Sequence, residues 1–67
     1  MSFFPPVALI RKKHIIKHLH KSRAFSPRTA KTLKDAGVLN PHSLAQITEH
    51  LVFTGEIHRT PQGKYYI

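Results

Sequence analysis

His14 and His18 stand four residues apart, a spacing that would put both imidazoles on one helix face and let them share one metal ion. Zinc asks for a third and a fourth ligand. The chain has no cysteine, and no carboxylate lies close to this pair in sequence. The expectation is therefore no metal and no cofactor. Catalysis meets a similar obstacle, because general acid–base chemistry uses a pair of tuned groups in a pocket. The three acids (Asp35, Glu49 and Glu56) are scattered along 67 residues, and a chain of that length offers little concavity. No catalytic residues are expected, and an enzyme is not.

Positive charge is what the chain has in quantity. Eleven Lys and Arg against three acids give a net charge of +8 and a pI near 10.5, and the six histidines can add more on protonation. Such a surplus favours a polyanion, whose counterions are released on contact whatever its sequence. Nucleic acid is the expected partner and a membrane is not. The apolar stretch Phe3–Ile10 is too short to span a bilayer. Its charges (Arg11, Lys12, Lys13) follow it, the reverse of a secretory signal. A cytoplasmic or nucleoid location is the matching expectation.

The elements that must position this charge can be read from periodicity and from start and stop signals. Residues 1–6 form an N-terminal arm, and residues 7–67 form one domain. From Val7 to about Ser22, Ala8, Leu9, Ile15, Ile16 and Leu19 share one side of a helix that Lys12 interrupts. Arg11, Lys13, His14, Lys17, His18 and Lys21 fall elsewhere, mostly opposite. Ala24-Phe25 suits a stub of strand. Ser26 and Pro27 read as cap and first residue of a second helix with the stripe Ala30, Leu33, Ala36, closed by Gly37. Asn40 and Pro41 open a third helix running to about Thr54, with Leu44, Ile47 and Leu51 inward and Phe53 outward. Thr48 and Val52 lie at the margin of its inner face. Gly55 ends it. Glu56 to Thr60 and Lys64 to Ile67 then flank Pro61-Gln62-Gly63 as a hairpin, its turn a type I with a glycine bulge. Ile57 would oppose Ile67, and Arg59 would oppose Tyr65.

Helix, strand stub, helix, four-residue turn, helix and hairpin, in that order, resemble the winged helix-turn-helix family. The likeness is carried by TAKTLKDAGV, by LAQITEHLVFTGEI and by GKYYI, within Ser26 to Ile67. It implies a mainly α, α+β domain of three helices with a C-terminal β-hairpin wing. It also implies a small transcriptional or genome-associated regulator that reads duplex DNA with helix 41–54 and wing 56–67. Under that likeness His42, Ser43, Gln46, Glu49 and His50 become base readers. Arg28 and Lys31, with Arg59 and Lys64 from the wing, become phosphate contacts.

Two features pull the other way. The third helix carries no Lys or Arg, and the densest charge (Arg11, Lys13, Lys17 and Lys21) lies on the first helix. That pattern keeps open a second basic surface, RNA binding through the first helix, or service as a protein–protein interaction module. Tyr65 and Tyr66 alternate across a strand, one expected in the core and one on the surface. Phe53 is expected to tuck under the arm that carries Phe3 and Phe4, and a homodimer through these three phenylalanines is the sharper alternative.

Overall fold

A computed structural model of the chain describes residues 6–67. Two helices, α1 (Pro6–Lys21) and α2 (Ala45–Thr54), precede a two-stranded antiparallel sheet of β1 (His58–Arg59) and β2 (Tyr65–Tyr66). Helix α1 fully buries Ile15 and Leu19 as the periodicity predicts, but Ala8 and Ile16 are only half-buried, Leu9 is exposed, and Arg11, expected away from the core, takes an inward position. Ile15 and Leu19 meet Leu51 of α2, Ile57 ahead of β1, and Ala24, Leu33, Ala36 and Val38 of the long connection to form the core. Both Tyr65 and Tyr66 are half-buried and pack against it, so the expected division into one core and one surface tyrosine does not occur.

The hairpin register agrees with the expectation: Arg59 pairs with Tyr65 and His58 with Tyr66. At the turn the Gly63 N–H donates to the Thr60 carbonyl, and Gly63 takes the positive φ that the glycine was expected to supply.

The expected second helix is absent, and the chain is not a three-helix winged helix. Its start signal is real but closes only a turn. The Ser26 hydroxyl and carbonyl both take the Thr29 N–H, while the Thr29 hydroxyl takes the N–H groups of Phe25 and Ser26. Lys31 then leaves helical geometry altogether, because its N–H and its carbonyl both pair with Tyr65 of β2, at 2.9 and 2.7 Å. A single helical turn follows at Thr32–Gly37. Val38 donates to Leu33 and Gly37 to Lys34, the pairing that ends a helix through a left-handed residue. The inward stripe Ala30, Leu33, Ala36 is buried as expected, although no helix carries it. The strand stub at Ala24-Phe25 survives as one bond, from the Ile67 N–H to the Ala24 carbonyl.

The third helix is shorter than expected: α2 begins at Ala45, not Pro41. Asn40 and Leu44 both adopt positive φ, and residues 41–44 form a turn. The cause is Arg11. Its guanidinium donates to the carbonyls of Leu39, Asn40 and Ser43, at 2.6, 2.9 and 3.2 Å, and turns them away from a continuous helix axis.

Candidate nucleic-acid interface

Because Ile15 and Leu19 point into the core, Lys13, Lys17 and Lys21 stand on the opposite side of α1, all exposed. Four-residue steps on a helix stack them into one stripe about 12 Å long. His18, His20 and Lys21 occupy the last turn, where the helix dipole favours positive charge. Lys12, Lys13, Ile16, Lys17, His20 and Lys21 line a shallow open depression on this face of about 330 Å³. Arg23, held at positive φ just past the helix, and Arg28 carry exposed charge on from α1, while Lys31 pairs with Tyr65 of the hairpin and Lys34 borders a recess with Glu49 and Tyr65. Between Arg23 and Arg28 in sequence is Phe25, half exposed, with its ring edge-on to His20 at a centroid distance of 5.4 Å. In the sequence Phe25 carries only the mark of a strand stub. The signal that could have found it is an aromatic set between Arg23 and Arg28.

Three other cations, Arg59, Lys12 and Arg11, are committed. Arg59, expected to hold phosphate from the wing, instead makes a two-pronged ion pair with Glu49, expected to read bases from the third helix. Arg59 holds the Glu49 carboxyl below its ordinary range, and Glu49, with the Tyr65 hydroxyl, raises the Arg59 pKa in return. Lys12 pairs with Glu56 and lowers that carboxyl too. Arg11, read as part of the exposed basic surface, is 7% exposed, and burial lowers its pKa. What is left are eight exposed Lys and Arg without a carboxylate partner among the described residues: Lys13, Lys17 and Lys21 on α1, Arg23, Arg28, Lys31 and Lys34 after it, and Lys64 on the hairpin.

The five expected base readers do not share one surface. His42 and Ser43 lie in the turn before α2, and the Ser43 carbonyl serves Arg11. Gln46, Glu49 and His50 are exposed on α2, but they face two different recesses. His42 and Glu49 border a cavity of about 250 Å³ against Lys34 and Tyr65. Gln46 and His50 border one of about 220 Å³ against Ala8, Leu9 and Leu51. Among the described residues Phe53, at 86%, is the most exposed large apolar side chain, while Phe3 and Phe4, its expected partners, lie outside them.

The histidine pair has its own work. His14 and His18 meet edge-on at 4.4 Å, and each imidazole serves the loop after residue 35. His14 Nε2 accepts the Leu39 N–H at 3.0 Å, which requires a neutral ring with its proton on Nδ1. His18 Nδ1 faces the Ala36 carbonyl at 3.3 Å. Burial lowers the His14 pKa most, with His18, Arg11 and Lys17 adding to it. Among the described residues no group of three or more His, Asp or Glu comes together to hold a metal.

No described helix is long and apolar enough to cross a membrane. No family model, curated protein or solved structure matches the chain.

Proposed function

We propose that this is a nucleic-acid-binding protein, not an enzyme, that grips the phosphodiester backbone with the outer face of α1 and the basic connection behind it. The observation that carries this reading is the eight exposed cations left without carboxylate partners, three of them in one stripe on α1. Counterion release makes such a surface bind phosphate chains with little regard to sequence. The outer face of α2 lacks any free Lys or Arg and holds the Glu49–Arg59 pair, so base-edge reading by that helix has little behind it. A genome-associated role in the cytoplasm or nucleoid goes with backbone binding of this kind.

The test is a salt series with a labelled DNA duplex. With about 4–6 phosphate contacts the log–log slope of affinity against salt is near −4 to −5. A slope indistinguishable from zero, or no binding at low ionic strength, contradicts the proposal.

A second reading has an observation of its own. Val7, Ile10, Leu39 and Leu44 are all exposed around one recess beside Arg11, a cluster that favours contact with another protein. Sedimentation of the protein alone, across concentration, separates self-association from a monomer with an open apolar face.

A further inference from the structure

An exposed apolar side chain surrounded by phosphate-binding charge has a specific use in contacts with nucleic acid. The phosphate chain is held by cations while a base, which always has an apolar π-face, lies on an aromatic ring. Two described phenylalanines are exposed, and their surroundings differ. Phe53 lies one turn from Glu49 and three residues before Glu56, both ion-paired carboxylates. Phe25 sits in sequence between Arg23 and Arg28 and packs against the ring of His20, which itself lines the depression with Lys13, Lys17 and Lys21. An edge-to-face contact with His20, at 74° between ring planes, uses at most one face of the phenyl ring, and half of Phe25 is exposed. The backbone beneath it is fixed, since the Phe25 N–H donates to the Thr29 hydroxyl and the Ala24 carbonyl before it takes the Ile67 N–H. An exposed ring, cations and rigid support therefore coincide at the end of α1.

We infer that Phe25, braced by His20, is a stacking platform for an unpaired nucleobase, and that the chain prefers single-stranded nucleic acid over duplex. The inference rests on the phosphate-binding reading of α1 and names the substrate class of that same surface. A paired base is stacked between its neighbours and offers no free face, so the ring adds nothing to duplex binding. A single strand laid along Lys13, Lys17 and Lys21 brings its next base over the ring.

The chain has no tryptophan, so Phe25→Trp places a single tryptophan, excitable apart from Tyr65 and Tyr66, on the platform. The parent, Phe25→Leu, Phe25→Trp and Phe53→Leu are titrated with a thymidine-only single strand and with a DNA duplex, after circular dichroism shows that each is folded. Phe25→Leu is expected to weaken single-strand binding by roughly 5- to 150-fold, the loss of one base–aromatic stack, with the salt slope unchanged. Its duplex affinity and all binding by Phe53→Leu stay at the parent's level. Phe25→Trp keeps parent-like affinity, and its emission is quenched by the single strand alone. The inference is overturned if Phe25→Leu binds the single strand like the parent, if it loses duplex binding equally, or if the introduced tryptophan is not quenched. Failure of the parent to bind either nucleic acid at low salt overturns the phosphate-binding reading itself and this inference with it.

Discussion

Arg11 shows how one side chain can redirect a segment of chain far from it in sequence. Its aliphatic stem lies on the core side of α1, and its guanidinium finds no carboxylate but three backbone carbonyls between residues 39 and 43. A buried charge is tolerable when its donors are satisfied, and here only Nε lacks a partner. Arg11→Met keeps the apolar stem and removes the donors; it is expected to cost about 1.5–3 kcal/mol in chemical denaturation, the range for hydrogen bonds to a charged group. His14 works on the same loop through an acceptor that protonation would abolish. Its folded-state pKa lies below the ordinary value of 6.5, so the unfolded chain takes up the proton first as pH falls. The protein should therefore lose stability as pH drops below about 6.5, and His14→Gln, whose side-chain oxygen can still accept the Leu39 N–H, should flatten that part of the melting profile. A parent whose melting temperature rises on acidification through that window would contradict this account.

At the scale of elements, two capping signals were legible and their consequences were not. Ser26-Pro27 and Asn40-Pro41 have the chemistry of helix starts, yet the same hydroxyl and amide groups close isolated turns equally well. Which outcome prevails is decided from a distance: Lys31 is drawn out of helix by Tyr65, and residues 39–43 by Arg11. Neither partner is recognisable beforehand, since backbone carbonyls carry no residue identity. Helix α1 and the hairpin register were readable because each is set locally, by 3.6-residue periodicity in one case and by Pro61-Gln62-Gly63 in the other. The candidate interface divides the same way. The lysine stripe was visible in the sequence, whereas the Glu49–Arg59 pairing needed α2 and β1 brought side by side. Two substitutions test the packing. Leu51→Ala should cost about 2–5 kcal/mol, because the side chain is fully buried where α2 meets α1. Gly37→Ala should be worse than Gly55→Ala: both incur the strain of about 1–2 kcal/mol for a left-handed residue. Only at Gly37 would the new Cβ also press on a neighbour, His18 Nδ1 at 3.3 Å. Equal melting temperatures for the two glycine variants would count against the close contact of His18 with this turn.

For the whole molecule, the governing fact is how charge is distributed once ion pairs and burial are discounted. A net charge of +8 does not spread evenly. The acids Glu49 and Glu56 neutralise Arg59 and Lys12 on the side of α2 and β1, and Arg11 is withdrawn into the interior. Lys31 and Lys34 lie beside the hairpin that carries Lys64, while Lys13, Lys17 and Lys21 lie along the outer face of α1 with Arg23 and Arg28 following in the chain. If that surface is what holds nucleic acid, the most direct test is the salt dependence of duplex binding by Lys13→Gln/Lys17→Gln/Lys21→Gln, set beside Gln46→Ala/His50→Ala. Loss of three phosphate contacts should make the slope shallower by about 2.7, at roughly 0.9 per contact, while the α2 double variant keeps the parent's slope and affinity. The opposite result, an unchanged slope for the lysine variant and lost binding for the α2 variant, would contradict the account.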